Sequence, residues 1–100
     1  MAQYYFAIAS KKFLVDEEPI EEILRERTNH YININKNIDF WFTINPNFIH
    51  LPELKYIETK FKQPAAAIIS LDKEFIEWLK LRISFVIIGN FESESLDQLI

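Results

Sequence analysis

The stretch PAAAIISLDKEFIEWLKLR, residues 64–82, decides how this chain is read. Its first part, residues 65–71, would be apolar on both faces of a strand. That pattern suits a central strand covered on both sides or crossed closely by a helix. Asp72 then offers a side-chain cap to a helix over residues 73–82. Pro64 closes whatever comes before, because the residue preceding a proline avoids helical angles.

Working outward, residues 83–91 read as the last strand, with Gly89, the single glycine, marking a bulge or bend. Upstream, residues 52–61 read as a short helix aligning Leu54, Ile57 and Phe61. Residues 39–44 read as a strand with Phe40, Phe42 and Ile44 on one face and Asp39, Trp41 and Thr43 on the other. Residues 16–32 read as a helix, with Asp16 or Glu18 as its cap and Pro19 in its first turn. Its stripe is Ile20, Ile23, Leu24, Arg27 and Tyr31. Residues 3–10 alternate as a strand, Tyr4, Phe6 and Ile8 against Tyr5, Ala7 and Ala9. The order β-α-β-α-β-α-β describes one domain over residues 1–91, and the acidic, serine-bearing residues 92–100 read as a flexible tail. Pattern alone leaves α+β and α/β open.

With 100 residues, 49% hydrophobic and 15% aromatic, the chain is able to bury a core, and global disorder is excluded. The absence of cysteine removes disulfides, thiolate zinc sites, iron–sulfur clusters and cysteine nucleophiles together. One glycine leaves no glycine-rich phosphate loop. A net charge of −4 argues against nucleic acid or an anionic membrane as the main partner. No run approaches the roughly 18 apolar residues that span a bilayer. The alternating N-terminus also lacks the basic-then-apolar order of a signal peptide.

Parts for catalysis are scarce. The histidines, His30 and His50, fall on a helix and in a loop, and no Glu-x-x-His pair of the di-iron kind occurs; Glu26 and His30 are one residue too far apart. The serines lack the glycines of a nucleophile elbow. The acids Asp16, Glu17, Glu18, Glu21 and Glu22 are the solvated N-terminal end of a helix. No metal and no cofactor is expected.

Two constellations exceed a bland reading. One is Asp39, Phe40, Trp41 and Phe42, an acid at the head of an aromatic-dense strand; it is either a core strand with a polar first residue or an aromatic patch at an interface. The other is the helix from Phe75 to Arg82. At 100° per residue Phe75, Ile76 and Leu79 share an arc that Trp78 flanks, and Arg82 falls inside that apolar arc. A buried guanidinium without a partner is costly. Arg82 must therefore turn outward at the helix end, pair with Asp39, or face another protein, and the sequence leaves these three open.

Several blocks carry a resemblance. They are residues 4–10 (YYFAIAS), Phe13 and Leu14 with Glu17, Glu18 and Pro19, residues 38–41 (IDFW), Asn45 and Pro46 with Phe48, residues 63–70 (QPAAAIIS) and residues 78–82 (WLKLR). In this order and spacing, over about residues 2–91, the chain resembles the hypothetical chloroplast reading frame 54 family of cyanobacteria and plastids. The resemblance implies an α+β fold, a small, mainly antiparallel four-stranded sheet flanked by about three helices. It implies a non-catalytic accessory subunit or assembly factor of the aerobic magnesium-protoporphyrin IX monomethyl ester oxidative cyclase, whose di-iron catalytic subunit is another protein. The expected location is the plastid stroma or cyanobacterial cytoplasm, reaching thylakoid membranes through that partner. Other chlorophyll-synthesis enzymes are further candidate partners; nucleic acid is not. Asp39, Phe40 and Arg82 match family positions linked to binding the catalytic subunit, and Trp41 and Trp78 match its motifs. The rival reading is a tetrapyrrole-binding protein with Tyr4, Trp41 and Trp78 as walls.

Overall fold

The computed structural model describes residues 1–18, 20–61 and 63–100. Among them the strands are β1 (Ala2–Ser10), β2 (Phe40–Ile44), β3 (Ala65–Ser70) and β4 (Ile87–Ser93), and the α-helices are α1 (Ile20–Asn33), α2 (Lys55–Glu58) and α3 (Lys73–Ile83). The strands form one sheet in the order β2-β3-β1-β4 with every neighbouring pair antiparallel. The fold is α+β, as the resemblance implied.

β3 lies inside the sheet, and all six of its residues are buried. Its two faces serve two cores. Ala66 and Ile68 join Ala7, Ala9 and Phe40 beneath Tyr31 of α1 and Phe75, Ile76 and Leu79 of α3. Ala65, Ala67 and Ile69 join Tyr4, Phe6, Ile8 and Phe91 beneath Phe48, Leu54, Ile57 and Leu96. The alanines on the first face keep that side of the sheet low, so α3 can lie close against it. On the second face the sheet's own large side chains fill the space, because only short turns and α2 cover it.

Local details differ from the sequence reading where polar groups intervene. The helix expected over residues 16–32 is two elements. A π-helical turn, Phe13–Glu17, starts directly after β1, and α1 follows from Ile20. The Ser10 hydroxyl accepts from Phe13 N at 3.1 Å and starts the turn early, which buries Leu14 and puts Asp16 within the turn instead of at a cap. Pro19 lies outside the described residues. The expected helix over 52–61 is a 3-10 turn, Pro52–Leu54, running into α2, with Leu54 and Ile57 buried as aligned. Leu51, before Pro52, is extended, so a helix cannot begin earlier.

Asp72 caps α3 as expected, accepting from the backbone N–H of Glu74 and Phe75. The last strand starts four residues later than expected, at Ile87. Before it, Ser84 adopts φ 62 and ψ −52, and Phe85 N donates to Ile83 O, a tight γ-turn that ends α3 and sends the chain into β4. Residues 92–100 carry more contacts than their composition announced. β4 runs to Ser93, Leu96 is buried, and Leu99 O accepts from Phe48 N at 2.9 Å.

Gly89 marks no bulge. The register of β1 with β4 is unbroken from Ala2 opposite Ser93 to Ile8 opposite Ile87. Gly89 stands opposite Phe6, and a Cβ there would lie 2.6 Å from the Phe6 ring. That ring is fully buried and held at 4.6 Å from the Phe48 ring and 6.1 Å from Phe91. Glycine is required because an aromatic ring occupies the place of its side chain. Gly89→Ala is expected to lower unfolding free energy by about 1–3 kcal/mol in urea titration, the usual cost of overpacking. Unchanged stability would show that the Phe6 ring moves aside freely.

Candidate functional site

The polar centre of the molecule lies where α1, α3 and the head of β2 meet. Arg27 Nη2 donates to Tyr31 Oη at 2.8 Å and to Asp72 Oδ2 at 3.0 Å. Tyr31 Oη in turn donates to Asp39 Oδ1 at 2.7 Å, and Lys36 Nζ lies 3.5 Å from Asp39 Oδ2. Two carboxylates, one guanidinium and one ammonium thus form a neutral chain through a phenol. The Arg27 guanidinium also lies 3.7 Å from the centroid of Phe75, with the rings of Tyr31 and Phe40 at 5.0 and 5.7 Å. Among the described residues Arg27 Nε is the one buried side-chain polar atom without a hydrogen-bond partner. Burial, reinforced by the hydrogen bond to Asp39, pushes the Tyr31 phenol above the ordinary tyrosine value.

Asp39 therefore pairs with Tyr31 and Lys36, and the pairing with Arg82 is not formed. Arg82 turns outward at the end of α3, where its closest carboxylate is Glu18 at 3.8 Å. Phe40 is 6% exposed and packs edge-on against Tyr31 and Phe75. The strand alternation that put it opposite Trp41 points it under α3, so it supports the surface from beneath and is no surface anchor itself. Trp78, 48% exposed, stacks on Phe75 at 6.2 Å. Trp41 belongs to the other face, edge-on to Tyr4 at 6.2 Å. The structure thus joins Asp39, Phe40 and Trp78 through Tyr31 and Phe75, and separates Trp41 from them across the sheet. The three walls of the tetrapyrrole reading do not line one cavity.

A family model described as Ycf54 protein matches residues 2–93. The chain belongs to the Ycf54 family. It is 50% identical over 95 residues to a Ycf54-like protein of Synechocystis, covering 95% of this chain and 71% of that protein. It is 35% identical over 97 residues to the chloroplastic YCF54 protein of Arabidopsis thaliana, covering 96% of this chain and 45% of that one. The solved Ycf54 structure from Synechocystis superposes with a TM-score of 0.91 at 45% identity, covering 100% of this chain and 96% of that chain. Relatives in a cyanobacterium and a chloroplast fit a plastid or cyanobacterial protein. Among the described residues no helix is long and apolar enough to cross a membrane.

Arg27 is the residue of this Ycf54 chain that sequence reasoning passed over. It sits on the apolar stripe of α1 as Arg82 sits on that of α3, and a guanidinium there needs a partner just as much. The exposure of Leu81 and Phe85, 83% and 80%, was also missed, because an apolar residue at a helix end gives no sign of which way it faces.

Two outcomes follow. Phe40→Ala empties a buried site and is expected to cost about 3–5 kcal/mol in chemical denaturation. A cost under about 1 kcal/mol would place Phe40 outside the core. In an alkaline titration followed by tyrosinate absorbance, one of the four tyrosines should ionise after the others, and Tyr31→Phe should remove that component. Because the folded value is raised, the stability contributed by neutral Tyr31 is complete below the unfolded value near 10.0 and is lost as pH rises through the folded one.

Proposed function

We propose that this chain is a non-catalytic accessory subunit that binds the di-iron magnesium-protoporphyrin IX monomethyl ester oxidative cyclase and supports formation of the isocyclic ring in chlorophyll biosynthesis. Membership of the Ycf54 family supports the reading, since the resemblance that pointed to the family carries this role with it. The observation that carries it structurally is the outer face of α3 and its end. There Trp78, Leu81 and Phe85 hold large apolar surface in water, with Arg82 among them. Aromatic and aliphatic side chains around an arginine are the composition of a protein contact.

Phe40 and Asp39 act behind this face. Phe40 supports Phe75, on which Trp78 stacks, while Asp39 fixes Tyr31 and so α1. In this reading the protein reaches thylakoid membranes through the cyclase and needs no reactive centre of its own.

The test is affinity purification of the cyclase with the tagged chain from chlorophyll-making cells. Arg82→Ala and Phe85→Ala each change an exposed side chain and are expected to leave the melting temperature unchanged. Each should lower cyclase affinity by about tenfold, near 1.4 kcal/mol. Retention of the cyclase at wild-type affinity by the double variant would refute this docking face. Failure of the wild-type chain to retain any cyclase would refute the accessory role.

A further inference from the structure

An open groove of about 490 Å³ runs between α1 and the first half of α3. Glu26 and His30 line it from α1, and Glu74 and Trp78 from α3, with the Arg27–Asp72 pair between them. Arg27 and Asp72 neutralise each other. Glu26 and Glu74 make no salt bridge among the described residues. Apart from the imidazole of His30, the groove therefore keeps two negative charges.

Its apolar wall is a stack. The Arg27 guanidinium lies over Phe75 at 3.7 Å, and Phe75 lies nearly parallel to Trp78, at 19°. The series is cation, ring, ring, and its last ring is half in water. A second planar cation is the group that continues it, since a guanidinium stacks on indole and is only weakly hydrated.

We propose that this groove receives an arginine side chain from a segment of the partner protein, its guanidinium against Trp78 and the carboxylates of Glu26 and Glu74 as its counter-charges. This names the chemistry of the segment that the partner presents, and so rests on the accessory-subunit reading. Arginine suits the site better than lysine, because an ammonium lacks the planar face and holds its water more tightly. An acidic segment or an anionic ligand meets two like charges and is repelled.

The test uses the full chain and a blocked tetrapeptide containing one arginine, with lysine and glutamate analogues, followed by amide and indole NMR shifts. The arginine peptide is expected to shift the indole N–H of Trp78 and leave that of Trp41, on the other side of the sheet, in place. The Glu26→Gln, Glu74→Gln double variant, altered only at exposed positions, should weaken that binding by about tenfold. No shift at Trp78, or an equal response to the glutamate peptide, overturns the proposal.

A second measurement uses the purified cyclase. The Glu26→Lys, Glu74→Lys variant should lose at least about tenfold in affinity, with only the modest loss of stability that a cation in the first turn of α3 brings. If the wild-type chain binds the cyclase and the charge-reversed chain binds equally well, the groove assignment fails and the accessory role stands. If the wild-type chain binds no cyclase, the accessory role fails and the peptide titration still decides the groove.

Discussion

The Arg27–Asp72 pair ties the two long helices into one layer. Asp72 does two jobs with its two oxygens. One accepts the first free amides of α3, and the other takes the Arg27 guanidinium from α1. An N-cap alone is worth about 1 kcal/mol. Here the same carboxylate also fixes where α1 lies, and the guanidinium it holds covers the ring of Phe75. Through Tyr31 the arrangement extends to Asp39 at the head of β2. The helix layer is thus registered on the sheet by a polar chain, while the apolar core beneath it supplies most of the folding free energy without direction.

The strands were legible because each announces its faces. Tyr4, Phe6 and Ile8 do belong to one core and Ala7 and Ala9 to the other, and of the expected strand 65–71 residues 65–70 form the buried interior strand, while Leu71 lies beyond it and is exposed. The Asp72 cap was equally legible, because a carboxylate before a periodic apolar run has few other uses. What periodicity cannot show is a side-chain hydrogen bond that redirects the backbone. The Ser10 hydroxyl that starts the π-helical turn and the γ-turn at Ser84 both set element ends that a 3.6-residue repeat does not encode.

The candidate site divides in the same way. Composition pointed to α3 and to the head of β2, but pairing partners depend on the third dimension. Asp39 is satisfied by Tyr31 with Lys36, and Arg82 reaches water with Glu18 at 3.8 Å, so neither needs the other. Phe40, conspicuous in the sequence as part of an aromatic run, is conspicuous for a structural reason. Trp78 and Phe85, though each touches one ring of the chain, Phe75 and Phe13, leave much of their own surface in water. A family motif mixes residues that hold the surface with residues that are the surface, and only burial separates them.

The contact between the Phe6 ring and Gly89 links opposite ends of the chain by shape alone. Each member is meaningless without the other: a bulkier residue at position 89 demands a smaller one at position 6, and a smaller one at position 6 frees position 89 to vary. These two sites should therefore drift as a couple during divergence, whatever selection acts on the outer face of the helices.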